Sequence, residues 1–162
     1  MLSNALRTAA FATLLVLAPQ LAAQPPVAAT GAPAALSSSA LGAARTVDAF
    51  HAALRRGNTR SASNMLAGDV LIFEGGGVER SKAEYASHHL GADAAFTQAV
   101  PSVMTRRSGN AVGAMAWIAS EGRTTGTYNG KLVDRVTAET MVLRRIGREW
   151  KIVHIHWSSA KN

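Results

Sequence analysis

Four of the five histidines in the chain stand in two tight groups, His88-His89 and His154-x-His156. An H-x-H pair on a strand puts both imidazoles on one face, because strand side chains alternate. Two same-face imidazoles suit metal ligation, since their neutral nitrogens can converge on one ion. His88 and His89 are adjacent, so on a helix they project about 100° apart and only one is expected to turn inward. His89 follows Tyr85 by one turn and shares its side of the helix. Glu74 adds a carboxylate that can ligate or act as a base. His154, His156, His88 or His89, and Glu74 therefore form a candidate site for a divalent ion, zinc or copper. Two other readings stand beside it. The imidazoles can be hydrogen-bonded parts of a pocket wall, or they can move protons near neutral pH, with His154, His156, Glu74 and Asp93 as candidate acids and bases. The expected ligand-lining residues are Tyr85, His89, Trp117, Trp150, His154 and His156. For the tryptophans, core and interface packing is the plainer explanation.

These residues need elements to hold them. Leu41–Arg56 carries apolar residues at Val47, Phe50, Ala53 and Leu54, which is helical spacing, and Gly57-Asn58 ends it. Asp48 and His51 lie three apart on that helix and can be neighbours. A second short helix is expected over 59–66, then a strand over 70–73 and a glycine turn at 75–77. The sequence Ser81-Lys82-Ala83-Glu84 reads as a capping box opening a third helix that runs through Leu90. A further helical turn is expected over 93–99, where Asp93 can also serve as a cap. Strands are expected over 103–107, 111–120, 132–146 and 150–158, with Asn129-Gly130 as a hairpin signal. On the final strand, alternation puts Trp150, Ile152, His154 and His156 on one face and Lys151, Val153, Ile155 and Trp157 on the other. The functional reading assumes that the first set faces inward. Helices first and a meander after them predict an α+β fold: a curved antiparallel sheet with three to four N-terminal helices closing a central pocket.

Composition narrows the chemistry. The 162 residues include no Cys, which excludes disulfides, thiolate metal sites and a Cys nucleophile. Residues 1–23 place Arg7 before an apolar run from Ala9 to Ala18, then Pro19, Ala22 and Ala23, the order of a secretory signal. The run is shorter than the roughly 20 residues needed to cross a bilayer. The expectation is a periplasmic or secreted protein with no stable membrane insertion once the signal is removed. Residues 24–40 are rich in Pro, Ala and Ser and read as a flexible linker, and 41–160 as the folded domain. The net charge of +7 comes from 17 Lys and Arg, among them the scattered Arg pairs 55-56, 106-107 and 144-145, without interleaved aromatics. That pattern predicts a solvated basic surface and no nucleic-acid partner.

The succession VDAFHAALRRGN, DVLIFEGGG, a helix after SKAEY, and ETMVLRRIGREWKIVHIHWSS resembles the nuclear transport factor 2-like superfamily. Within it, the chain is most similar to the SnoaL-like group of small bacterial proteins, over about residues 41–160. The resemblance implies a cone-shaped α+β barrel, often a dimer through the sheet; the expected function is an exported domain that binds a small-molecule ligand in its pocket, with a pocket enzyme or a dimeric structural domain that pairs through its convex sheet as alternatives. The resemblance leaves the chemistry open, because the fold hosts isomerases, dehydratases, cyclases and plain binding modules. The isomerases and dehydratases use an Asp, or an Asp–His pair, with Tyr donors; residues of those types here are Asp48, His51, Tyr85 and Tyr128.

Overall fold

The computed structural model describes residues 35–161. The secretory-signal reading of 1–23 and most of the linker reading lie outside the described residues.

Four helices precede most of the sheet: α1 (Leu41–Arg55), α2 (Thr59–Met65), α3 (Lys82–His88) and α4 (Leu90–Ala99). The strands are β1 (Leu66–Glu74), β2 (Gly77–Glu79), β3 (Ser102–Val112), β4 (Met115–Tyr128), β5 (Lys131–Ile146) and β6 (Glu149–Lys161). They form one curved sheet in the order β2-β1-β6-β5-β4-β3. All pairings are antiparallel except β1 with β6, which is parallel, so the sheet is mixed. The α+β cone expected from sequence is the architecture found.

Local chemistry sets the breaks. Asn58 caps α2 by accepting from the Ser61 N–H at 3.0 Å, and Ser81 caps α3 by accepting from the Glu84 N–H at 3.0 Å. The Asn129-Gly130 turn joining β4 to β5 has φ of 49° and 74°, left-handed values that these two residue types tolerate best. The expected 111–120 strand is in fact broken: Gly113 and Ala114 turn the chain between β3 and β4. The folded region also begins before residue 41. Leu36 bridges Gly109, Ser38–Ala40 form a 3-10 turn, and Ala40 is fully buried, so this part of the expected linker packs onto the sheet.

One face of the sheet carries the core. Ala43, Val47, Phe50, Ala53 and Leu54 of α1 are buried against Ala116 and Ile118 of β4, Met141 and Leu143 of β5, and Ile152 and Ile155 of β6. Burying a side chain such as Phe50 stabilises the fold by about 1.5–3 kcal/mol.

The register of β6 corrects the expected alternation. Leu143 pairs with Ile152 while Val142 pairs with His154, so Val153 is the extra residue of a β-bulge. A single added residue reverses the alternation beyond it. Ile152 faces the helices, and after the bulge so do Ile155 and Trp157. His154 and His156 are turned to the opposite, outer face.

Candidate functional site

Inner-face rows run across the sheet from an aliphatic end to a polar end. In register across β4 and β5 they read Ala116 with Leu143, Ile118 with Met141, Ser120 with Glu139, and Gly122 with Thr137. Where the row turns polar, a cavity of about 270 Å³ opens between α1 and the sheet. His51, Arg107, Ser120, Thr137 and Glu139 are among the residues lining it.

Glu139 organises this cavity. One carboxylate oxygen, Oε2, lies 2.8 Å from His51 Nε2 and accepts from Trp157 Nε1 at 2.7 Å. The other, Oε1, is buried with no hydrogen-bond partner among the described residues. Burial pushes the Glu139 carboxyl up, but the His51 bond and charge, the Trp157 bond and the Arg107 charge outweigh it, so the group sits below the ordinary carboxylate value. Trp157 is fixed in turn, stacked on Phe50 at 6.4 Å between ring centres and tilted against Tyr85 at 6.4 Å. Arg107 on β3 donates to Asp48 at 2.5 Å and to Ser120 at 3.2 Å, so its guanidinium is held at the cavity wall. Asp48 and His51, neighbours on α1, thus hold one cation and one carboxylate of the sheet.

A second polar group lies where β1, β2, α3 and α4 meet. Tyr85 is buried and donates to Asp93 Oδ2 at 2.7 Å. Burial pushes the Tyr85 hydroxyl and the Asp93 carboxyl up. Desolvation and the charge of Asp93 also raise Glu74, with His89 pulling the other way. Glu79 is buried, with Oε1 against His89 Nδ1 and Oε2 3.4 Å from His88 Nδ1.

The sequence candidates therefore divide. Tyr85, His88, His89, Glu74 and Asp93 gather around the helix side. His154 and His156 do not join them, being on the outer sheet face, where both rings meet Phe73 edge-on and His154 Nδ1 lies 2.9 Å from the Leu71 carbonyl. Trp117 is likewise on the outer face, and Trp150 packs beside Gly42 at the start of α1 with Arg145 over its ring. None of these four lines the cavity. The sequence reading missed Glu139, Arg107 and Glu79. Glu139 had a readable signal, since it shares parity with Met141 and Leu143 and so is a carboxylate on a core-facing row. Arg107 had none, being one of several Arg pairs.

Comparison with known proteins fits this architecture. The SnoaL-like domain model matches residues 44–161. A candidate ketosteroid isomerase from Shewanella frigidimarina NCIMB 400 is 41% identical, over 72% of this chain and 94% of its own, with a TM-score of 0.70. A candidate dehydratase of the NTF2-like family from Streptomyces avermitilis is 20% identical over 76% of this chain and 97% of its own, with a TM-score of 0.65. The CaMKII hub of S. rosetta is 16% identical over 76% and 98%, with a TM-score of 0.63. The last two share the fold alone. No curated protein matches the chain significantly. The chain belongs to the SnoaL-like domain family of the nuclear transport factor 2-like superfamily.

Proposed function

We propose that this protein binds a small anionic molecule in the cavity between α1 and the inner sheet face. The observation that carries the reading is Arg107, whose guanidinium is held by Asp48 and Ser120 at the wall of that cavity of about 270 Å³. The size is close to the low end of ligand pockets, roughly 300–1,000 Å³. Arg107 spends Nη1 and Nε on Asp48 and Ser120 and keeps Nη2 for a carboxylate or similar acceptor. Trp157, bonded to Glu139, is a built-in reporter. Titration with acetoacetate and benzoate should change its fluorescence saturably, and Arg107→Ala should weaken that binding about tenfold or more. A flat response to both, or equal affinity in Arg107→Ala, removes the proposal.

A second reading is proton transfer next to a carbonyl, the chemistry of an isomerase. It is favoured by the His51–Glu139 pair, in which a carboxylate held ionised orients an imidazole toward base catalysis. The name of the 41% identical Shewanella protein supports it. Exchange of the acetoacetate methylene protons with D₂O, followed by NMR, should be accelerated by the protein and should fall about 100-fold in His51→Ala. If exchange matches the buffer blank, the pocket binds without catalysing.

Two further properties belong to this proposal. The protein is exported, on the pattern of residues 1–23; in a bacterial host the periplasmic form should have lost those residues by intact mass. It also pairs with a second copy through the outer sheet face, where Trp117, Met115 and Val136 are exposed.

A further inference from the structure

We propose that Glu79, Glu84 and His88 form a divalent-cation site of the zinc type, apart from the cavity under α1. The three donors come from two neighbouring elements: Glu79 from β2, and Glu84 and His88 from one face of α3, four residues apart. One ligand atom from each lies within 4.8 Å of the other two.

Glu79 distinguishes this group from an ordinary acidic surface. Its side chain is 7% exposed, and Oε2 has no hydrogen-bond partner among the described residues. A buried carboxylate oxygen without a donor is costly, and buried charges are normally paired or bound to metal. The nearest candidate donor, His88 Nδ1, is 3.4 Å away. That exceeds the usual 2.7–3.2 Å of an N–H···O bond. It does match two ligands of one tetrahedral zinc, which at bond lengths of about 2.0–2.2 Å stand roughly 3.3 Å apart. Oε1 is occupied by His89 Nδ1, which fixes the carboxylate so that Oε2 points at the group. Glu84 gives one oxygen to the Arg80 N–H at 2.6 Å and keeps its second for a ligand. The donor set of one imidazole and two carboxylates suits zinc and needs no thiolate. A bound ion ties the β1–β2 hairpin to α3 across the two-residue connection at Arg80-Ser81.

The test uses full-length protein without a tag, stripped with EDTA and titrated with Zn²⁺ by calorimetry at pH 7.5. One equivalent should bind, and the unfolding midpoint should rise by several degrees at about 100-fold excess over Kd. Glu79→Gln and His88→Ala should each weaken binding at least tenfold, while the outer-face double variant His154→Ala/His156→Ala should bind as the parent does. Absence of binding up to about 100 μM Zn²⁺ overturns the site, as does undiminished affinity in His88→Ala or loss confined to the outer-face double variant. His88 is 58% exposed, so its variant folds and decides the matter even where Glu79→Gln does not.

Discussion

Glu139 concentrates more of the chemistry of this domain than any residue the sequence patterns single out. It is nine-tenths buried, and its charge is held by His51, Trp157 and the field of Arg107. Glu139→Gln should cost about 1–3 kcal/mol at pH 7, because two donors lose a charged acceptor. The cost should depend on pH. The folded carboxyl lies below the ordinary value of 4.5, so its contribution is present above that value and is lost as pH falls through the folded value. Urea unfolding at pH 7 should separate the parent from the variant, and the gap should close in the most acidic range where the protein stays folded. A gap that widens with acid would contradict the assignment of Glu139 as an ionised, bonded carboxylate. At the same scale, Arg107→Ala should lose anion affinity with little loss of core packing, since the guanidinium sits at the cavity wall.

At the scale of elements, β6 is decisive. Its bulge at Val153 exchanges the faces of everything that follows, so the two sides of one strand can be told apart by substitution. Ile155→Ala should destabilise by about 2–5 kcal/mol in urea, and His156→Ala should stay within about 0.5 kcal/mol. The reverse order would mean that the imidazoles look toward the helices. The helices were readable because α1 repeats apolar residues at helical spacing, Ser81 with Glu84 makes a cap, and Asn129-Gly130 marks a hairpin. The Val153 bulge was not readable. It is a two-against-one mismatch between strands, and no property of Val153 alone announces it. Strict alternation therefore aimed His154 and His156 into the pocket. The better guide was the end of the segment, where Ile155 and Trp157 are the side chains that profit most from burial. Likewise, Glu79 was legible only as a charge, and Glu84 only as part of a helix cap, until β2 folded back beside α3.

At the scale of the whole molecule, the outer sheet face should determine assembly. Trp117, Met115 and Val136 are 39%, 44% and 44% exposed, and the two histidines lie on the same face. Sedimentation velocity should give a particle of twice the monomer mass, and Trp117→Arg with Val136→Lys should give a monomer that keeps its cavity. A monomeric parent would end the pairing proposal. The parallel match of β1 to β6 has a different consequence. Residues 149–161 sit between β1 and β5, in the interior of the sheet. A ribosome-bound chain still lacking that segment has two separate half-sheets with a gap between them. Closure waits on synthesis of nearly the entire domain, and a nascent chain stalled before Glu149 should be digested by protease as readily as an unfolded one.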